Sequence, residues 1–436
     1  MNTKSWRYVL PLLVIVAGAE FLVRGPIRAV QSGGQFNDLL SPYIQSRAWL
    51  LGRDPYSPQT LLSLWPQDAA HFEFLPKEVA DGTLAIKRGF PTAYPLTCLM
   101  VLVPFSLLPW KLAWSLWLAI SVTLFAATVW VLLLLAGISA KRDLALLFVA
   151  MALALAPFHT GIVTSNLAVV ATEISVIAIW LAGKEHENAA GVLLALAISL
   201  KPQIGLCFLA YCLVRHRWRI AGITVAVAAA IALAAFLRLE FGHTPWLQSY
   251  LADNQALFGR GVLADFTPRN PTRFGLINLQ LVLYPLAGTV RGTNVLAALV
   301  GAVMLAAWLV FMLRKRDSGT ELADLSAVAV MSLLPVYHRF YDAVLLILPL
   351  AWAVAALQHQ RRKTAILALL LMVPFLLPGG SLLETLQTKG HIPDTLMNRW
   401  WWNTIVMPHQ VWALLFLSLV FLYEMAAGAR TEEPLS

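Results

Sequence analysis

The chain has 436 residues, of which 59% are apolar and 13% are charged, and its mean hydropathy is +0.71. An average soluble domain has roughly a quarter of its residues charged, so this composition excludes an ordinary soluble protein. The net charge of +9 comes from short Lys/Arg clusters between apolar runs rather than from one basic stripe, which argues against a nucleic-acid partner.

Apolar runs of about 17 to 25 residues recur along the chain, and an α-helix needs this length to cross about 30 Å of hydrocarbon. They predict an all-α polytopic membrane protein in which residues 1–436 form one integral membrane domain. The first run, 7–24, includes small residues at 17–19 that resemble a signal-peptide cleavage site. Because the apolar sequence continues to Val23, we predict an uncleaved first helix.

Clusters of Lys and Arg in short loops mark the cytoplasmic side of a membrane protein. Four clusters carry this signal: Lys141-Arg142, Arg215 with Arg217 and Arg219, Arg314-Lys315-Arg316, and Arg361-Arg362-Lys363. All of them face the cytoplasm only if the segments 96–108 and 274–285 are interfacial or re-entrant. About twelve crossings then remain, with both termini cytoplasmic: 7–24, 112–136, 144–160, 167–183, 189–200, 203–214, 219–238, 294–313, 323–337, 341–357, 364–378 and 406–426. The long loops lie outside: 25–111, with interfacial helices, 239–293 and 379–405.

The first outer loop contains a predicted helix and a predicted turn. Ser41-Pro42 is typical of a helix start, with the hydroxyl as the cap, and Gly52 is typical of a helix end. The segment Asp54-Pro55-Tyr56 then predicts a turn. Asp38 lies just ahead of this helix, where it is either an ordinary solvated acid or part of a site.

Lys201-Pro202 divides a long apolar region into two segments and predicts a tight outer turn. An ionisable residue at the membrane boundary is a functional candidate, and the alternative is a lysine whose ammonium group extends to the interface. Glu173 lies inside its predicted crossing and needs a partner or a proton. Lys201 is a candidate partner, and a structural ion pair is the favoured interpretation.

The late stretch LPVYHRFYD places His338, Arg339 and Asp342 between two apolar runs, again on the predicted outer side. Histidine and arginine at one turn can both donate charged hydrogen bonds to a phosphate. A single loop histidine is more often structural, but three separated polar stretches on one face favour a shared function. The sequence has no metal-ligand cluster and no nucleotide-binding motif, so we predict no metal and no cofactor.

Taken together, these stretches resemble glycosyltransferase family 87 over about residues 8–357. The resemblance rests on Asp38 ahead of its helix, the Gly-x-Asp-Pro-Tyr turn ending at Tyr56, Tyr94-Pro95-Leu96 with Pro104, Leu-Lys-Pro-Gln at 200–203, and the late His338-x-x-Tyr-Asp. Thr164-Ser165, just before Asn166, departs from the Gly-Gln that members often carry there.

The resemblance implies a C-type glycosyltransferase fold and inverting transfer of a sugar, often mannose, from a polyprenyl-phosphate donor to a glycan or glycolipid acceptor. It also implies that Asp38 is the general base and that Lys201, His338 and Arg339 bind the donor phosphate. The expected substrate-binding or site-shaping residues are Tyr43, Arg47, Asp54, Tyr56, Tyr94, Gln203 and Asp342. The expected location is the bacterial cytoplasmic membrane, with the site facing the periplasm or exterior and membrane lipid as a further partner.

Two other function classes remain open. A twelve-helix transporter fits the hydropathy, but the loop AGISAKRDL lacks the Gly-x-x-x-Asp-Arg signature of the major facilitator superfamily. The long outer loop 25–111 is also unusual in that superfamily. A lipid-linked oligosaccharide ligase or phosphate-group transferase would share the outer site, and its donor would be a pyrophosphate rather than a monophosphate.

Overall fold

The computed structural model describes residues 3–33, 37–69, 94–259, 261, 263–314, 321–358, 361–397 and 399–430. Within these ranges the regular secondary structure is helical. Residues 70–93 of the predicted first outer loop, and Lys315-Arg316 of one basic cluster, lie outside the described residues.

Six described helices are long and apolar enough to cross a membrane, which makes the chain an integral membrane protein. They are Tyr8–Gln31, Trp110–Leu135, Trp218–Phe241, Val290–Arg314, Arg362–Thr388 and His409–Ala427. A seventh span arises if Arg142–Ala154 and Ala156–Val163, bent by 45° at Leu155, count as one. Pro157 in the first turn of the second helix has no backbone N–H to donate, which fits a break at this place.

The other helices are shorter. They are Leu40–Leu50, Pro58–Ser63, Leu96–Ser106, Leu167–Gly183, Glu187–Leu200, Pro202–Val214, Trp246–Leu257, Gln280–Ala287, Glu321–Ser332, Ile347–Ala356 and Asp394–Met397. Five of the twelve predicted crossings fall on such short elements, and the one at 341–357 begins as a 3₁₀ helix, Phe340–Leu346. The count of twelve crossings therefore stays a prediction.

Several predicted boundaries were wrong. The first helix does not end at residue 24 but continues to Gln31 through a π-helical turn, Val23–Ile27. Pro26 lies in that turn, and a wider turn can accommodate the carbonyl that a proline ring displaces. The segment 274–285 is not one element, because a 3₁₀ turn, Arg273–Gly275, and the helix Gln280–Ala287 share it.

The loop helix Leu40–Leu50 starts earlier than predicted. Its N-cap is Leu39 rather than Ser41, and the Leu39 amide donates to Asn37 Oδ1 at 2.9 Å. Gly52 does follow the helix end with a positive φ of 69°, a conformation that favours glycine. The helix packs against Leu96–Ser106, the helix at the predicted interfacial segment.

Lys201 occupies the tight turn between Glu187–Leu200 and Pro202–Val214, as predicted. The two helices approach closely because Gly205 has no side chain: a Cβ there would lie 2.7 Å from the Ile198 backbone nitrogen. The neighbouring helix Leu167–Gly183 contacts both of them and also the 3₁₀ helix Phe340–Leu346. This packing brings the start of one helix, the 201 turn and the 338–342 segment together.

Candidate active site

A cavity of about 320 Å³ collects residues from five separate parts of the sequence. Five of the eleven predicted site residues line it: Asp38, Tyr94, Lys201, Gln203 and Arg339. Asn254, Leu257, Phe258, Tyr337 and Tyr341 complete much of the wall and were not predicted. The volume lies within the range of small-ligand pockets, roughly 300–1,000 Å³.

Asp38 is held at the cavity wall by two hydrogen bonds. Its backbone N–H donates to the Thr164 carbonyl at 2.6 Å, and its Oδ2 accepts from Asn166 Nδ2 at 2.7 Å. Burial raises the pKa of Asp38 above its ordinary value, while the Asn166 bond and the charges of Arg339 and Lys201 oppose that rise. A carboxylate with a raised pKa is the stronger base once it is ionised.

Asn166 is the functional candidate that the sequence predictions missed. It is the N-cap of Leu167–Gly183, and its Oδ1 accepts from the Ala168 amide at 2.9 Å and from Lys201 Nζ at 3.1 Å. Because two donors face Oδ1, the amide must present its Nδ2–H to Asp38. An asparagine just before an apolar run is a helix-start signal, and this was the available clue.

Lys201 forms a buried ion pair with Asp342. Its Nζ lies 2.5 Å from Asp342 Oδ1 and 4.9 Å from the centre of the Tyr341 ring. The predicted ion pair between Lys201 and Glu173 was wrong, because both carboxylate oxygens of Glu173 lack a hydrogen-bond partner among the described residues. Glu173 lies on a helix that packs beside the turn, yet Asp342 takes the contact with Lys201.

Asp342 and His338 lie behind the cavity wall rather than on it. Asp342 Oδ2 accepts from the Arg339 amide at 3.0 Å and lies 3.0 Å from His338 Nδ1. The His338 ring is fully buried and does not line the cavity, so its expected direct contact with a phosphate has no support in this arrangement.

Arg339 lines the cavity itself. Within the described part of the chain no carboxylate forms an ion pair with its guanidinium. Lys201, by contrast, is matched by Asp342. The positive charge that remains available to an anionic ligand is therefore that of Arg339.

The turn at Asp54 is connected by hydrogen bonds to Tyr94, a residue of the cavity wall. Asp54 Oδ1 accepts from the Tyr56 amide at 2.9 Å, and the Tyr56 hydroxyl donates to the Tyr94 carbonyl at 2.6 Å.

The two remaining predicted residues, Tyr43 and Arg47, do not line the cavity. Tyr43 donates to the Leu108 carbonyl at 2.7 Å, and Arg47 is exposed on the same helix.

The fold is that of an integral membrane protein, and one of its cavities is lined by a carboxylate, Asp38, and a cation, Arg339. A sequence model of glycosyltransferase family 87 matches residues 92–336, more than half of the chain. The chain therefore belongs to glycosyltransferase family 87 and is a glycosyltransferase. Comparison with curated proteins and with solved structures gave no significant match.

The matched region includes Tyr94, Asn166, Lys201 and Gln203 but begins after Asp38 and ends two residues before His338. The family match therefore includes neither Asp38 nor His338. No group of three or more His, Cys, Asp or Glu side chains suited to a metal occurs among the described residues.

Proposed function

We propose that the chain transfers a sugar, with mannose as the first candidate, from a polyprenyl-phosphate donor to a glycan or glycolipid acceptor. One observation carries the proposal: Asp38 and Arg339 face the same cavity, and Asn166 links Asp38 to the Lys201–Asp342 ion pair. A base and a phosphate-binding cation in one pocket are the two groups that such a transfer needs.

In the proposed reaction the acceptor hydroxyl attacks the anomeric carbon from the face opposite the phosphate. The bond from that carbon to the phosphate oxygen breaks as the new carbon–oxygen bond forms, so the configuration inverts. Asp38 takes the hydroxyl proton, and the electron pair leaves with the polyprenyl phosphate. General-base assistance of this kind contributes typically 10²–10⁴-fold.

Arg339 is the proposed direct ligand of the donor phosphate, because its charge is not matched by an ion pair within the described residues. Lys201 contributes positive potential at the wall, although Asp342 offsets part of its charge. His338 then acts through Asp342 by keeping that carboxylate in place. Arg339 can contact a phosphate with two parallel hydrogen bonds, which a lysine cannot.

An apolar groove supports a lipid-linked donor. It has a volume of about 1010 Å³ and is lined by side chains of Pro202–Val214, Val290–Arg314 and Glu321–Ser332. The groove shares four lining residues with the cavity: Pro202, Gln203, Phe258 and Tyr337. A donor whose phosphate lies in the cavity can therefore place its polyprenyl chain in the groove. The outer-face location, the bacterial cytoplasmic membrane and the C-type fold with twelve crossings belong to the same proposal.

The test is transfer of radiolabelled mannose from synthetic polyprenyl-phosphate-mannose by purified protein, with and without EDTA. We expect a labelled product that survives EDTA and disappears in Asp38→Asn. If no product forms, the same assay with polyprenyl-phosphate glucose and arabinose follows. Failure with every monophosphate donor, together with turnover of a pyrophosphate donor, would point to the ligase or phosphate-group transferase instead.

A further inference from the structure

A second cavity, of about 300 Å³, adjoins the first. Both cavities are lined by Phe258 and Tyr337, whose rings meet edge to face with centres 6.1 Å apart. The second cavity has further amide and aromatic side chains: Asn278, Gln280, Asn294 and Phe266. Whatever occupies it lies directly beside the proposed reaction pocket.

A directed chain of amides includes Asn278, a residue of the cavity lining. The Pro335 carbonyl can only accept, and Gln280 Nε2 donates to it at 2.9 Å, so Gln280 presents its Oε1 to Asn278. Asn278 Nδ2 donates to that oxygen at 2.8 Å. The remaining Asn278 atom, Oδ1, is buried and has no hydrogen-bond partner among the described residues, and the side chain as a whole is only 3% exposed.

A buried acceptor without a donor is unfavourable, so the cavity suits a ligand that brings an O–H or N–H group to Asn278 Oδ1. The lining side chains include no Lys or Arg, which disfavours a phosphate. Asp265 is the charged side chain in the lining, and its carboxylate accepts from the Gly261 and Thr267 amides at 2.6 and 2.8 Å. Its oxygens are therefore engaged by their own loop.

Amides and aromatic rings together match the two faces of a sugar. The hydroxyl groups of a sugar ring hydrogen-bond to amides, and its C–H faces pack against aromatic rings. Gln280 and Asn294 also line the apolar groove, so Asn278, which lines this cavity and not the groove, is the amide that a polyprenyl chain would leave unpaired. We infer that this cavity binds a sugar residue, one of whose hydroxyls donates to Asn278 Oδ1. The inference rests on the proposed function, which brings sugars to the neighbouring pocket, and the sugar can belong to the acceptor or to the donor.

Binding is tested without turnover, by saturation-transfer NMR of the purified full-length protein with methyl α-mannoside, methyl α-glucoside and methyl α-arabinofuranoside. We expect Asn278→Leu to weaken binding of at least one glycoside about tenfold. Asn294→Leu is the second variant, because the Asn294 side chain forms no hydrogen bond within the described residues and its loss should not disturb the fold. The matched control is Gln410→Leu, a buried amide that donates to the Pro374 carbonyl far along the chain.

Equal glycoside binding by wild type and both cavity variants, or no binding by the wild type, would overturn the inference. The source of the sugar follows from kinetics with polyprenyl-phosphate-mannose as donor and octyl α-mannoside as acceptor. A raised acceptor KM in Asn278→Leu assigns the cavity to the acceptor, and a raised donor KM assigns it to the donor sugar. Glycoside binding without any transfer would contradict the proposed function alone, and transfer with unchanged binding would contradict this inference alone.

Discussion

Asp38 and Asp342 belong to one hydrogen-bond network but differ in what their carboxylates accept. Asp342 accepts from Lys201 and the Arg339 amide and also faces His338, so both of its oxygens are engaged. Within the described residues the Asp38 carboxylate accepts from Asn166 alone, and Asp38 lines the cavity. A general base needs a lone pair that can reach the substrate, and this favours Asp38 over Asp342 as the proposed base.

Asp38→Asn keeps the shape of the side chain but removes its basicity. We expect kcat for sugar transfer to fall by about 10²–10⁴-fold with little change in folding, because general-base catalysis contributes about this much. Asp143→Asn is the control, since Asp143 is an exposed acid in the first turn of Arg142–Ala154. Full activity of the Asp38 variant would remove Asp38 from the mechanism.

Asn166→Asp tests whether Asn166 positions the base. The new carboxylate can still cap the Ala168 amide and accept from Lys201, but it repels Asp38 and no longer donates to it. Both changes raise the pKa of Asp38. Since the base works deprotonated, we expect the acid limb of the kcat/KM profile to move to higher pH by about one unit or more.

Asn166→Ser provides the comparison for that shift, because it keeps a capping oxygen but adds no charge. We expect a smaller shift in the same direction, caused by the lost hydrogen bond to Asp38. If the acid limb of the kcat/KM profile does not move in either variant, Asn166 acts only as a helix cap and does not position Asp38.

Glu173 has no ion pair and no hydrogen bond to its carboxylate within the described residues, although it is fully buried in Leu167–Gly183. We therefore expect Glu173→Gln, which keeps the shape and excludes a charge, to retain activity and thermal stability. Measuring Tm and transfer in this variant checks the expectation. A large loss in Glu173→Gln would mean that the carboxyl proton or charge has a function.

At this scale the sequence singled out residues that line the cavity but not the contacts between them. Lys201 was predicted because an ionisable residue at the membrane boundary is costly. Arg339 was predicted from its place beside His338 between two apolar runs, and Asp38 from the family resemblance. Their contacts were not predictable, because Asn166 is 128 residues from Asp38 and Asp342 is 141 residues from Lys201. Such pairs depend on how the helices pack, and in this packing Lys201 forms its ion pair with Asp342 rather than with Glu173.

Among the elements, the helix Trp246–Leu257 connects the Asp54 turn to the cavity. Ser249 on one side donates to Asp54 Oδ2 at 2.5 Å, while Asn254 and Leu257 line the cavity. Asp253 is buried near Asp54, and one of its oxygens has no hydrogen-bond partner among the described residues. Burial, and to a lesser degree the charge of Asp54, raises the pKa of Asp253 to about 8.

A raised carboxyl pKa in the folded state means that folding favours the protonated form of Asp253. At pH values below the ordinary aspartate range, Asp253 is protonated in both the folded and the unfolded state and has no effect on the free energy of unfolding. As the pH rises toward and through about 8, the protein loses stability, because the unfolded state ionises more readily than the folded state. Asp253→Asn should remove this loss. We expect its Tm to exceed that of the wild type by about 1 °C at pH 9, for an effect of ~1 kcal/mol, with a smaller difference at pH 5.

Differential scanning fluorimetry across pH 5 to 9 checks this prediction. Asp143→Asn again serves as the control, because it removes an exposed acid from another helix. A pH-independent difference between Asp253→Asn and wild type would show that the effect is one of packing rather than of charge.

Element positions followed from hydropathy, but element ends did not. The π-helical turn at Val23–Ile27 carries the first helix past Pro26, where a proline usually ends one. The loop helix begins at Leu40 without a side-chain cap, because a chain held by tertiary packing does not need one. Such choices depend on neighbours that are far away in sequence.

For the whole molecule, composition and hydropathy were enough to predict an all-helical membrane protein, and the short motifs were enough to identify the family. The number of crossings was harder to predict. Several helices are too short to be recognised as spans by length, and their place in the membrane depends on their packing against longer ones.

Two short helices predict that activity depends on membrane thickness. Glu187–Leu200 and Pro202–Val214 have 14 and 13 residues. At 1.5 Å per residue they are about 21 and 20 Å long, against about 30 Å of hydrocarbon. We expect transfer to be a few-fold faster in vesicles of 14-carbon than of 22-carbon monounsaturated phosphatidylcholine, with intermediate rates at 18 carbons. Equal rates in all three would show that the turn is not coupled to thickness.

The turn that carries Lys201 also bears on where the proposed reaction takes place relative to the membrane surface. If the two helices cross the membrane as proposed, one end of the pair lies below the level of the surrounding lipid headgroups, because both helices are about 10 Å shorter than the hydrocarbon layer. If that end is the turn, the enzyme works at the bottom of a water-filled dimple in the bilayer. A soluble sugar acceptor would then have to descend into the dimple, whereas a lipid-anchored donor could enter it sideways with its chain still dissolved in the membrane.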